Sequence, residues 1–175
     1  MDVTSIRREV EAAVAREREE GALAGVIRSA LEREARARDG GEIDRIVGEA
    51  VAEIEGFVSS APDVIEATIR AAESAGVVED VRPIFETALG YLEEEVDFIP
   101  DSMGLGGMLD DAYLIHGLMQ EISERHRVMT GTALLPAALL ARMQEIKRLI
   151  GDPTATRLEM AIVALWFVAL TAMGI

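Results

Sequence analysis

The sequence predicts an all-α protein, a bundle of about seven helices joined by short connections. Three observations predict it. Apolar residues recur at three- and four-residue spacing along most of the chain. No stretch alternates apolar and polar residues as a half-buried strand does. Glycine, proline and capping residues cut the chain into helix-sized pieces, and no unit of 20–50 residues repeats. With 175 residues, one domain is expected over 1–175, large enough to bury a core without staples.

Residues 4–38 read as one long helix, or two broken near Gly21 and Gly25, with Thr4 as the N-cap. Ile6, Val10, Ala13 and Val14 form one stripe; Leu23, Val26, Ile27, Ala30 and Leu31 form the next. The charged run Arg16 to Glu20 reads as a solvated surface of Glu–Arg pairs, worth about 0.2–0.5 kcal/mol each, or as a charged docking face. Residues 1–41 are thus a charged helical arm, closed by the break Asp39-Gly40-Gly41.

Residues 42–59 are the cleanest amphipathic helix, with Ile43, Ile46, Val47, Ala50, Val51, Ile54, Phe57 and Val58 on one side. Ser60, Pro62 and Asp63 resemble a start signal, so a new helix is expected from there to Ala75, stopped by Gly76. The next starts at Glu79 or Asp80 and tolerates Pro83 in its first turn. It turns Ile84, Phe85, Ala88, Leu89 and Leu92 inward and ends in Glu93-Glu94-Glu95. A helix from Met108 to Val128 follows and breaks at Thr130-Gly131. Residues 132–150 are expected to be helical with Pro136 in the first turn, and Asp152-Pro153 opens the apolar last helix, 153–175.

Charge bounds the function. The formal net charge is -15, and residues 39–101 carry 17 acids against three Arg. A negative middle repels phosphate backbones, so nucleic acid is not an expected partner. Seven aromatic residues leave few surfaces on which bases could stack. With no cysteine there is neither a disulfide framework nor a thiolate metal site. The first 20 residues are charged throughout and do not read as a signal peptide, so a cytoplasmic location is expected.

The densest chemistry lies in VDFIPDSMGLGGMLDDAYLI, residues 96–115. Pro100 pushes Ile99 away from α geometry. Gly104, Gly106 and Gly107 permit a tight loop. Asp110 and Asp111 fall in the first turn of the next helix, where carboxylates meet free N–H groups, worth about 0.3–1 kcal/mol each. Asp97 and Asp101 can cap the incoming turn or the loop. Two readings are open. The four aspartates fix a helix–loop–helix corner, or Asp97, Asp101, Asp110 and Asp111 hold Mg²⁺, Mn²⁺ or Ca²⁺ through carboxylate oxygens. The spacing is not that of an EF-hand.

The run Ile99-Pro100-Asp101, eight residues, then Asp110-Asp111 resembles the signature of the YkvA-like family, a bacterial domain of unknown function. That signature is D-x-I-P-D, a loop, then L-D-D. Asp97, Ile99, Pro100, Asp101, Gly107, Leu109, Asp110 and Asp111 match it without a gap, over a region of residues 88–125. Glu95 and Gly104 stand where the family has prolines. The helix end, loop and new helix start predict a hairpin of the helices 79–96 and 108–128 around the motif, and the resemblance supplies no activity. Many members of the family are thought of as membrane-associated; here the incoming helix ends in three glutamates.

His116, five residues beyond Asp111, reads as a general base held by a carboxylate or as a structural residue. No serine with a neighbouring base stands out, so nucleophilic catalysis has no candidate. Gly104-Leu105-Gly106-Gly107 has no strand before it and no lysine after it, which argues against a phosphate loop.

Met160 to Ile175 is uncharged. It reads first as a buried central helix, apolar all round. It reads second as the contact of a homo-oligomer, and third as a tail anchor flanked by Lys147, Arg148 and Arg157 at the inner face of a membrane. The leading expectation is a non-enzymatic interaction or scaffold module that needs no cofactor. The alternatives are a divalent-metal module or enzyme, and a peripheral or tail-anchored membrane protein.

Overall fold

The first corner of the fold is set by two residues. α1 (Thr4–Glu20) stops where Gly21 enters the left-handed region (φ 62°, ψ 33°) and its N–H bonds the Glu17 carbonyl at 2.8 Å. α2 (Ala22–Glu34) starts at once, capped by the Glu17 side chain: Oε2 accepts from the Leu23 N–H at 3.0 Å and Oε1 from Ala24 at 3.1 Å. The expected break is therefore at Gly21, and Gly25 lies inside α2. Val3, not Thr4, occupies the cap position of α1, without a side-chain bond. This computed structural model describes residues 3–34, 40–92, 101–137 and 142–172.

α3 (Gly40–Ala75) corrects the expectation of two helices meeting at Ser60. It runs unbroken for 36 residues with Pro62 inside. A proline in a helix interior costs about 3 kcal/mol. Both halves share one buried face, and Ile54, Phe57, Val58, Val64 and Ile65 each contribute about 1.5–3 kcal/mol of burial, so packing wins. Ser60 turns back instead of capping forward: its hydroxyl donates to the Phe57 carbonyl at 2.7 Å. Gly76 (φ 72°) ends the helix with Val77 N–H on the Ala72 carbonyl at 2.9 Å, a Schellman closure.

α4 (Val78–Leu92) carries Pro83 near its start and buries Ile84 and Phe85. A 3-10 segment (Asp101–Gly106) is kinked at Gly104 (φ 58°, ψ -119°), a conformation that favours glycine. α5 (Met108–Thr130) follows and ends at Gly131 (φ 82°), as expected. The next stretch is a correction. Residues 131–136 are not helical, and among the described residues α6 (Met143–Ile150) is the helix that 132–150 holds, with residues 138–141 outside them. Leu135 is buried and its N–H donates to Ser123 Oγ on α5 at 3.0 Å, a tie that holds this segment out of a helix. α7 (Asp152–Ala172) closes the chain with Pro153 in its first turn. The described residues thus form seven α-helices and no strand.

The centre of the bundle is α5, not the apolar α7. From Leu109 to Ser123 α5 buries 12 residues, against α3, α4, α7 and the 3-10 segment. Close approach is why. A Cβ built on Gly117 would lie 2.1 Å from Ile162 Cδ1 of α7, so α7 lies almost on the α5 backbone. α1 and α2 cover α3 and the 3-10 segment. Among its described residues α7 buries Ala155, Leu158, Leu165, Trp166 and Ala169. Met160, Val163, Phe167 and Val168 are 55–68% exposed. The expectation of a last helix buried on all sides is overturned: one face packs and the opposite face is bare.

Candidate functional site

The motif corner rests on the start of the chain. Leu105 is fully buried, and the 3-10 segment packs on α1 and α2. A Cβ on Gly104 would lie 3.9 Å from Glu17 Oε2, so the carboxylate that caps α2 also faces the motif loop. The Gly107 N–H closes the loop on the Gly104 carbonyl at 3.0 Å, and α5 begins.

Of the four candidate ligands, Asp97 lies outside the described residues, and so does the Asp101 side chain, whose backbone opens the 3-10 segment. Asp110 and Asp111 sit in the first turn of α5, as expected. Asp110 is 2% exposed, and its Oδ1 accepts the Asp111 N–H at 3.1 Å. A carboxylate placed on a first-turn N–H is held by hydrogen bond and helix dipole together. Asp111 is half-buried and lines a cavity of about 30 Å³ with Glu9, Val10, Val58 and Met108. That space admits a water or two and no substrate. Among the described residues no three His, Asp or Glu side chains gather to hold an ion.

His116 is 1% exposed and stacks on Phe57, with ring centroids 4.2 Å apart. Its Nε2 lies 3.3 Å from the Phe57 carbonyl and 3.2 Å from Ser60 Oγ. Nδ1 is buried without a partner. Burial pushes the imidazole down to about 4, and the Arg142 guanidinium adds to the effect. Among the described residues no carboxylate reaches the ring, which favours the structural reading over a general base. The Ser60–His116 proximity escaped the sequence, since 56 residues separate them. The Phe57 carbonyl, at 2.7 Å, competes with the imidazole for the Ser60 proton.

Two surface grooves lie among the described residues. One, of about 310 Å³, lies between α1 and α3 and is lined by Val10, Val14, Arg18, Glu55 and Ser59. Its arginines already bind α3 carboxylates: Arg18 pairs with Glu55, and Arg7 with Glu66 at 2.9 Å and Asp63 at 3.0 Å. It offers an anion no free cation among these. The other, of about 380 Å³, lies between α5 and residues 133–137, around Gln120, Ser123 and Leu135.

The feature that periodicity alone did not resolve is the bare face of α7. It carries Met160, Val163, Ala164, Phe167, Val168 and Thr171, all exposed and none charged. Beside it, Arg125 of α5 stacks on Trp166, 4.4 Å from the ring centre. The segment Pro153–Thr171 is long and apolar enough to cross a membrane, and 28% of it is buried. No protein-family model, curated protein or solved structure matches this chain.

Proposed function

We propose that this chain is a non-enzymatic helical interaction module of the YkvA-like kind. The aspartate corner is structural in it, and the exposed face of α7 meets a protein partner. One observation carries the reading: four large apolar side chains, Met160, Val163, Phe167 and Val168, stand more than half exposed on one helix face. Scattered exposed apolar residues need no explanation, whereas a contiguous row marks a contact surface. Two further facts support it. The buried histidine has neither an acid partner nor access to solvent. The aspartate of the motif with a described buried side chain, Asp110, binds the backbone of its own helix.

The test is a photo-crosslinking residue at position 167 of the full chain, in cells of the source organism. A covalent adduct with a protein is expected at 167 and not at Glu49, which lies exposed on α3. Absence of any adduct at 167 overturns the reading.

A further inference from the structure

Resting on that reading, we propose that the occupant of the α7 face is a second copy of this chain, with the two α7 helices packed antiparallel about a two-fold axis. The exposed positions 160, 163, 164, 167, 168 and 171 are symmetric about a point between Leu165 and Trp166. In an antiparallel pair centred there, Val163 meets Val168, Ala164 meets Phe167, and Met160 meets Thr171, each contact made twice. A two-fold contact must be self-complementary in this sense. The Ala164–Phe167 pairing also sets small against large, as interdigitating helices require.

The stripe holds no charged residue from Met160 to Thr171, so it offers nothing to select a charged partner. Of the basic residues flanking α7, Lys147 is bound to Glu159 at 2.6 Å, while Arg148 and Arg157 are exposed. A spanning role fits poorly. The 19 residues of Pro153–Thr171 extend about 28 Å, but Ile162 lies against the Gly117 backbone, and immersion in lipid would undo that contact. Even with the exposed parts of the four large side chains wholly covered, the pair buries at most about 1,000 Å², below the roughly 1,200–2,000 Å² of a standard specific interface. The dimer is therefore weak and depends on concentration.

The experiment is light scattering on the purified full chain from low to high micromolar concentration, with two engineered sets. The mass is expected to rise from 18.9 kDa toward twice that value. Val163→Glu and Phe167→Glu should hold it at the monomer with an unchanged melting temperature. The chain has no cysteine, so Val163→Cys mixed with Val168→Cys should form a disulfide-linked pair faster than either alone. A monomer at every concentration overturns the second copy. If position 167 still crosslinks to a different protein, the interaction reading survives that failure. Faster linkage of Val163→Cys to itself overturns the antiparallel register. Co-sedimentation of a monomer with phosphatidylcholine–phosphatidylglycerol vesicles, with no protein adduct at 167, overturns both.

Discussion

Gly117 on α5 and Ile162 on α7 approach so closely that a Cβ on the glycine would sit 2.1 Å from Ile162 Cδ1 and 3.0 Å from Cγ1. Two effects of Gly117→Ala then compete. A helix interior gains up to about 1 kcal/mol when glycine becomes alanine. Overpacking costs about 1–3 kcal/mol. The clash is with the flexible end of the isoleucine, which moderates the cost. A net loss of about 1 kcal/mol is expected by urea denaturation. Ile162→Val, which removes the offending carbon, should return most of it in the double variant. Simple additivity of the two substitutions would show that this contact does not set the helix spacing.

His116 ties stability to pH. Its folded pKa is about 4, below the ordinary 6.5. The unfolded chain therefore binds the extra proton first as pH falls. The stabilisation is complete above about 6.5 and is lost progressively toward 4, by about 3 kcal/mol in all. Arg82 and Arg127 hold the Glu79 and Glu124 carboxyls below the usual carboxylate value, the opposite end of the scale from a histidine. His116→Phe keeps the stack on Phe57 and removes the titration. Denaturation midpoints at pH 7 and 5 should differ in the parent chain and much less in the variant. Equal slopes would assign the pH dependence elsewhere.

How much of this was legible beforehand follows from what local patterns encode. Gly21, Gly76 and Gly131 ended helices because a positive φ is a local event, written in one residue. The Ser60-x-Pro62 signal misled because its local preference of a kilocalorie or so was outweighed by burial along Ile54 to Ile65, which depends on α5. The apolar α7 was expected at the centre on hydropathy. The centre went to α5, whose Ala112 and Gly117 allow close approach though it is less apolar. Of the site, Asp110 and Asp111 were placed correctly in a first turn, a matter of spacing. The His116–Phe57 stack was not, since it joins segments that only the fold brings together, and the Glu17 cap, though only six residues from Leu23, was hidden inside a run that reads as solvated charge.

Glu17 is 5% exposed, and its carboxylate takes two N–H groups at the start of α2. Charge-assisted bonds of this kind contribute about 1.5–3 kcal/mol, and their loss leaves buried donors unpaired. Glu17→Ala should cost about 2–3 kcal/mol. Glu17→Gln keeps one acceptor and should cost about half. Amide exchange at Leu23 and Ala24 should accelerate in both before the rest of α2 responds. Uniform acceleration along the chain would mean that the residue matters through packing alone.

The motif aspartates separate by their response to metal. Asp110 holds the Asp111 N–H, a first-turn bond worth about 1 kcal/mol that needs no ion. As a corner, Asp110→Asn should lower the melting temperature by the same amount with and without millimolar Mg²⁺, Mn²⁺ or Ca²⁺, and the parent chain should not respond to any of the three. As a metal site, the parent chain should gain melting temperature with one of these ions, since a ligand that binds only the folded state stabilises it by mass action. Asp101→Asn and Asp110→Asn should then both abolish the gain, because each removes a carboxylate oxygen from a hard cation. Differential scanning calorimetry across an ion titration distinguishes the two. A rise that both variants remove would convert the corner into a cation site, and a flat parent chain beside a destabilised Asp110→Asn keeps it a turn.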